Sequence, residues 1–417
     1  MGTNAIIAER TKGIEATGPT LLFCFVLILL QIVIVTGSFV AGYLLPDAGG
    51  QLPAVDFVNV WVAGNHALNG IPATAYNAVV HKAAEVAVLG HDFDDPLPWV
   101  YPPTFFFPAF VLAKLPYVQA YLIWMIVTFA AYLAVMRGII GSNGSLFLAC
   151  AYPGVMMNMI PGQNGFLTAA LLGGALLTMQ QRPLVSGVLL GLLSFKPQFG
   201  ILIPIALVAS SRWNVIGAAA VTTLATNAAS LFVFGLAPWE AFFPALQVAS
   251  QETLTEGLAG WGKLHSIYVL VRVLGGSDTL GWTLYGSLLT VTAAAVFAIW
   301  RSKVSFEIKA SALATGTLLA TPYIFMYDLM ILAMPMAFLL RAGARTGFLT
   351  GEILVMGTSS VLVLSFLVLT EPVGFAAILL VAALVARRML AGVDPLLIGT
   401  LTPAMPAWAG SPKGPGS

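Results

Sequence analysis

Apolar residues in this chain come in long runs rather than in amphipathic stripes. The first, "TLLFCFVLILLQIVIVTGSFVAGYLL", covers Thr20–Leu45 without a charge. Similar windows recur at 19–44, 117–136, 145–160, 163–180, 184–195, 198–211, 214–236, 279–300, 308–322, 325–340, 350–369 and 372–390. Runs of roughly 17–25 apolar residues read as transmembrane helices. The pattern therefore predicts about twelve spans, with 184–211 a hairpin of two short helices. Period-2 alternation, the mark of barrel strands, is absent. Only helices and closed barrels satisfy their backbone in lipid. The expected fold class is thus an all-α polytopic membrane protein, one integral membrane domain over residues 1–409. Two polar connections interrupt it, 46–103 and 237–278. "TFFFPAFVLAKLPY" (104–117) reaches Lys114 after about ten residues, or about 15 Å of helix. It is expected to be re-entrant or interfacial.

Composition sharpens this picture. Apolar residues make up 59% of the chain, only 8% are charged, and mean hydropathy is +0.93. Soluble domains carry about 25% charged residues. Cys24 and Cys150 both lie in apolar runs and give no disulfide or metal pattern. No small-residue cleavage site follows the first run, which reads as a retained span. The tail "GSPKGPGS" (410–417) reads as disordered or artificial. Arg10, Lys12, Arg137, Arg182, Arg212, Arg301, Lys303, Lys309, Arg341, Arg345, Arg387 and Arg388 fall at alternate span ends. The positive-inside rule then places both termini in the cytoplasm and both long connections outside, in a bacterial cytoplasmic membrane. Connection 46–103 fits: Asp47, Asp56, Glu85, Asp92, Asp94 and Asp95 face a single lysine there.

Threaded this way, the polar motifs collect on the outer face. In "VDFVNVWVAGNHALNG", a helix from Asp56 places Phe57, Val60, Trp61, Gly64 and Leu68 on one stripe. Asp56, Asn59, Ala63 and His66 form the opposite one, so an interfacial helix is expected with Trp61 at headgroup level. Asp56 is either an N-cap or a general base. Lys196, in "GLLSFKPQFGILIP", is flanked by apolar runs too short for full spans. A lysine at the bilayer centre costs about 2.5–3.5 kcal/mol. It either snorkels or faces a cavity, and there an anion such as phosphate is its natural partner. Gln198 follows at the same turn. In "KLHSIYVLVR", Lys263, His265 and Arg272 read as either juxtamembrane cations or further donors to that anion, and His265 and Arg272, seven residues apart, read as one helical face. Gln163 and Asn164, in "PGQN", cap a helix or bind hydroxyls. Tyr101 belongs to the "YPP" turn. Tyr323, Tyr327 and Asp328, in "TPYIFMYD", end a span, and Asp328 is a cap or a ligand. His91, Asp92 and Asp94 read as a solvated loop, with ion binding the alternative. No phosphate-loop or dinucleotide fingerprint and no basic patch for nucleic acid is present.

The motifs "DFVNVWVAGNHALNGIPATAY", "YPPTFFFPAFVLAKLP", "PGQNGFLTAALLGGALL", "GLLSFKPQFGILIP" and "PYIFMYDLMIL", in this order, resemble glycosyltransferase family 87 over roughly residues 20–340. The resemblance implies a GT-C-type bundle. It also implies transfer of a sugar, mannose by family default, from a polyprenyl-phosphate donor to a lipid or glycan acceptor. Asp56 matches the family's first-loop aspartate and Lys196 its KPQ lysine. "KLHS" matches only loosely, since Asn or Gln commonly precedes the Ser there. The implied chemistry is inverting, with Asp56 as base and Lys196, His265 and Arg272 on the donor phosphate. Asn59, His66, Tyr101, Gln163, Asn164, Gln198, Tyr323, Tyr327 and Asp328 are the substrate-binding set. No metal or cofactor is expected. The competing class is a transporter or lipid-linked-sugar flippase, which broken helices and buried charges also suit.

Overall fold

The structure is a computed structural model; it describes residues 18–41, 55–93, 97–142, 144–258, 260–369 and 371–393. Arg10, Lys12, Asp47, Asp94, Asp95 and the 410–417 tail, all singled out above, lie outside the described residues. Among the described residues there are helices and no strands. The chain is an all-α polytopic membrane protein.

α1 (Gly18–Val40) comes first. The first polar connection folds into α2 (Phe57–Leu68), a tight turn at Pro72–Tyr76, and α3 (Ala78–Leu89). The short α4 (Phe106–Leu112) precedes α5 (Tyr117–Ile140). The predicted 145–160 pass is two pieces, α6 (Gly144–Ala151) and α7 (Gly154–Met159). Then come α8 (Gly165–Thr178), α9 (Pro183–Leu192), α10 (Ile203–Ala209) and α11 (Trp213–Phe234). The second connection holds α12 (Ala237–Ser250) and α13 (Ile267–Val273). The chain continues through α14 (Asp278–Arg301), α15 (Phe306–Leu319), α16 (Ala333–Thr346), α17 (Glu352–Ser365) and α18 (Val373–Val393).

Among the described residues, six helices are long and apolar enough to cross a membrane: Gly18–Ser38, Tyr117–Ile140, Trp213–Phe234, Asp278–Arg301, Met326–Thr346 and Val373–Ala391. The other predicted passes are shorter. α8, α15 and α17 have 14 residues each, about 21 Å at 1.5 Å per residue. The six long helices differ in place. Met326–Thr346 is 78% buried and forms the centre, whereas Trp213–Phe234 is 11% buried and presents its apolar side chains outward. That outward face is what a lipid solvent requires.

Local chemistry sets the ends. Ser277 caps α14 by accepting from Leu280 N, with Asp278 in the first turn and Arg301 in the last, each matched to the helix dipole. α5 ends where Gly141 takes a left-handed conformation (φ 78°). Gly187 and Gly191, four apart on α9, let it meet α11 backbone to backbone. A Cβ on Gly187 would lie 2.6 Å from Val215 O, and one on Gly191 2.8 Å from Ala219 O.

The basic span ends converge. Arg341 donates to Ile139 O (3.4 Å), Arg212 to Met179 O (3.1 Å) and Lys309 to Trp300 O (3.1 Å). Glu307 pairs with Arg341 and Arg345, and buried Glu352 binds Arg388. These pairs tie together the bundle end at which α5, α8, α14 and α16 terminate.

α2 departs from the expected interfacial helix. Phe57, Val60 and Gly64 are buried, but so are Val58, Asn59, Val62, Ala63 and His66 on other faces. It is sandwiched between α3 and α4. The Trp61 indole donates to Leu115 O (3.0 Å) rather than reaching a headgroup plane. Of the expected polar stripe, His66 packs on His81 of α3 instead of facing out. α4 is a seven-residue helix, too short to cross, in keeping with the re-entrant reading.

Candidate functional site

A cavity of about 1010 Å³ opens at the end of the bundle opposite the clustered arginines. Its wall is assembled from α2, the extended segment before α4, the α7–α8 turn, the α9–α10 turn, α12 and the segment before α16.

Asp56 precedes α2. Its backbone is already helical (φ −53°, ψ −22°), and its side chain makes no cap bond, so the N-cap reading is set aside. Its Oδ2 instead accepts from Gln163 Nε2 at 2.8 Å. Phe57 N donates to Pro161 O (3.0 Å), which docks the start of α2 on the "PGQN" turn. Gln163 is itself oriented: its Oε1 accepts from the Tyr101 hydroxyl (3.3 Å), and that hydroxyl accepts from Asn164 Nδ2 (2.6 Å). The chain Asn164, Tyr101, Gln163, Asp56 thus runs in one donor direction and leaves the Gln163 amide one usable orientation. Burial, with Asp328 and Asp56 nearby, holds the Tyr101 hydroxyl well above its ordinary pKa, so it stays a donor. Tyr101 is fixed by Pro102 and Pro103 behind it and by ring contacts with Trp99 (5.1 Å) and Phe105 (4.6 Å). Phe105 stacks on Phe195 (4.8 Å), the neighbour of Lys196.

Pro197 disfavours helix at the residue before it, and Lys196 adopts φ −125°, ψ 75° between two short tight turns. Its ammonium does not snorkel. It is buried, at 4% exposure, and lies 2.6 Å from Asp328 Oδ1. The Tyr327 ring is 5.0 Å away and the Phe199 ring 5.7 Å. Asp328, 2% exposed, also accepts from Phe325 N (3.2 Å) through Oδ2. The cap reading thus holds for one Asp328 oxygen, and the other pairs with Lys196, a partner the sequence reading did not name. α8 begins beneath this segment. A Cβ at Gly165 would lie 2.3 Å from Tyr327 O, so only glycine admits this approach.

Asn59, Gln198, Tyr323 and Tyr327 complete the expected set on the cavity wall. Asn59 Nδ2 donates to Leu97 O, and the Tyr323 hydroxyl meets Ser250 Oγ. Four expected residues do not line it. Asn164 is buried behind Tyr101, as described. His66 packs on His81 (5.5 Å between rings) between α2 and α3. His265 is fully buried against Phe366 (5.3 Å), and burial lowers its pKa to about 3. It is neutral there and cannot serve as a cation. α13 starts only at Ile267, so His265 and Arg272 never share a helical face. Arg272 lies over the Trp261 ring (4.8 Å) and donates to Thr255 O (3.3 Å).

Glycosyltransferase family 87 matches the chain over residues 99–322. The chain belongs to glycosyltransferase family 87. Comparison with curated proteins and with solved structures gives no match. The family 87 match includes Tyr101, Gln163, Asn164, Lys196 and Gln198, while Asp56, Tyr323, Tyr327 and Asp328 lie outside it. In this family 87 glycosyltransferase, Lys263 lines the cavity, and sequence reasoning missed the polar stretch of the wall before it: Gln247, Ser250, Gln251, Thr253 and Thr255. The signal was there in "SQETLTEG", an abrupt polar run after an amphipathic helix. Its π-helical form over Gln251–Thr255 has no sequence periodicity to reveal it. Of the acidic loop, Asp92 faces Lys82 (3.6 Å) at an exposed position.

Proposed function

We propose that this glycosyltransferase moves a sugar from a polyprenyl-phosphate donor to a lipid or glycan acceptor at the outer face of a bacterial cytoplasmic membrane. Mannose is the family default. The observation that carries the reading is one cavity lined by both a carboxylate held by an amide and a buried lysine–aspartate pair.

In this reading Asp56 is the base. An acceptor hydroxyl has a pKa far above neutrality, so its proton must leave as the oxygen attacks. The acceptor oxygen bonds to the sugar C1, and the proton passes to the Asp56 carboxylate. The bond from C1 to the phosphate oxygen breaks, and its electron pair stays on the phosphate. A single displacement inverts C1. Gln163 fixes the carboxylate rotamer, so little reorganisation accompanies attack. The Lys196 amine donates one N–H to Asp328, and its other N–H groups can reach the leaving phosphate. Asp328, Gln198, Tyr323 and Tyr327 provide acceptors, donors and a ring face for the sugar.

The test is turnover of labelled polyprenyl-phosphate sugars by purified protein with a membrane-lipid extract as acceptor. Asp56→Asn, still folded, is expected to lose about 10²–10⁴-fold in rate. Wild-type turnover by that variant removes the base assignment. No transfer by the wild type from any lipid-phosphate sugar removes the donor class.

A further inference from the structure

At the bundle end opposite the cavity, two half-buried cations lie close together. Arg212 sits in the turn between α10 and α11, and Lys309 near the start of α15. The charge that acts on Lys309 is that of Arg212, a like charge. Each is held only by a backbone carbonyl, Arg212 Nη1 on Met179 O (3.1 Å) and Lys309 Nζ on Trp300 O (3.1 Å). Among the described residues neither has an acidic partner. Glu307 and Glu352, the carboxylates near this end, are taken by Arg341, Arg345 and Arg388.

The donors around this pair also lack acceptors. The Phe306 ring is their common centre. The Arg212 guanidinium lies over it at 5.5 Å, and the Trp300 ring meets it edge-on at 6.1 Å. Arg212 Nε and Trp300 Nε1 are buried N–H groups that donate to nothing, and Trp300 is 1% exposed. Ser305, which precedes α15, makes no cap bond, so the positive end of that helix is not offset by its cap residue. Buried N–H groups without an acceptor are rare in folded proteins. A water molecule would take such protons but would leave both charges uncompensated. An anion would do both.

We propose that Arg212, Trp300 and Lys309 form a binding site for a phosphate group, at the bundle end away from the transfer cavity. The donors suit that chemistry. A guanidinium offers a planar fork, an ammonium a point charge and an indole one directed N–H. The place suits the headgroup of an acidic phospholipid. Trp213, next to Arg212, is 63% exposed, and the helix it opens turns its apolar side chains outward. A tryptophan at the end of an apolar span marks the polar boundary of the bilayer, and basic pockets between helices at that level hold acidic headgroups. An occupant here would join the ends of α8, α11, α14 and α15.

The probes are dioctanoyl phosphatidylglycerol, dioctanoyl phosphatidylcholine and inorganic phosphate, titrated into the full-length protein in uncharged detergent. The wild type is expected to bind the glycerol lipid about tenfold or more tightly than the choline lipid, whose phosphate already has a cation. Lys309→Gln is expected to abolish most of that preference and Lys309→Arg to keep it. Arg387→Gln, which removes an exposed cation, is expected to leave it unchanged. Competition by millimolar inorganic phosphate would uphold the site and name free phosphate as its ligand. Lack of competition would uphold it and name the headgroup. A Lys309→Gln protein of unchanged Tm with the full preference overturns the site, as does a wild type with neither the preference nor affinity for phosphate. If the Gln variant does not fold, amine acetylation of the wild type decides. Phosphatidylglycerol, and not phosphatidylcholine, is expected to slow modification of Lys309, a reading that lipid held in the transfer cavity would not imitate. Equal rates overturn the assignment.

Discussion

Lys196 and Asp328 are 132 residues apart in the chain, and each is nearly without water. Two opposite charges taken out of solvent gain from each other about what they lose in hydration, so such a pair adds little net stability. Removing one member is another matter, because the survivor remains buried without its counterion. Asp328→Asn is expected to destabilise the protein by about 3–5 kcal/mol. The measurement is thermal unfolding in detergent. The double variant Lys196→Met/Asp328→Leu is expected to recover most of that loss without recovering transfer, which separates a structural from a chemical role for the pair. The lysine was legible in the sequence because a cation inside an apolar run is too costly to be idle. Its partner was not, because no periodicity links residues at that separation.

At the scale of elements, α2 and α3 carry an enclosed set of titratable groups. His81 and Glu85, one turn apart on α3, are each 1% exposed, with His81 Nε2 3.4 Å from Glu85 Oε1 and His66 of α2 alongside. Burial first, and the Asp56 charge after it, push the Glu85 carboxyl up to about 8 against the partial relief from Lys82. Burial, then His66, lowers His81 to about 3. Both groups are therefore neutral near pH 7. Glu85 binds its proton more tightly folded than unfolded. Its contribution is present below its ordinary value near 4.5 and is lost as pH rises through about 8. His81 acts in the opposite sense, losing its contribution as pH falls below its ordinary 6.5 towards 3. The Tm of the wild type relative to Glu85→Gln is thus expected to fall steadily from pH 5 to about 8. A pH-independent difference would show Glu85 already ionised. Sequence pattern gave α2 its apolar stripe correctly. It could not show that α3 packs over the His66 end of the polar stripe, which turned an expected substrate contact into a packed one.

For the whole molecule, the alternation of apolar runs and basic ends was enough to read an all-α polytopic bundle. It also showed that Asp56, Gln163, Lys196 and the Tyr323–Asp328 segment belong to one end. What stayed hidden depended on exact helix starts: a helix beginning at Ile267 rather than upstream removed His265 from the cavity and turned Arg272 into a brace. The proposed orientation is open to a direct check. In a cysteine-free background, Lys303→Cys is expected to react with a membrane-impermeant maleimide only from the cytoplasmic side, and Lys82→Cys only from outside. Labelling of both from one side would refute the topology.

The short passes have a mechanical consequence. α9 is ten residues long, yet Leu184, Val185, Val188 and Leu192 face outward from it. Lipid against that flank meets an apolar band of about 15 Å, half the usual slab of about 30 Å. The leaflet must pinch inward beside the lysine-bearing turn, or neighbouring polar groups must reach out to meet it. A long-tailed carrier could then present its head low in the protein with its tail still in oil, without being lifted out of the bilayer.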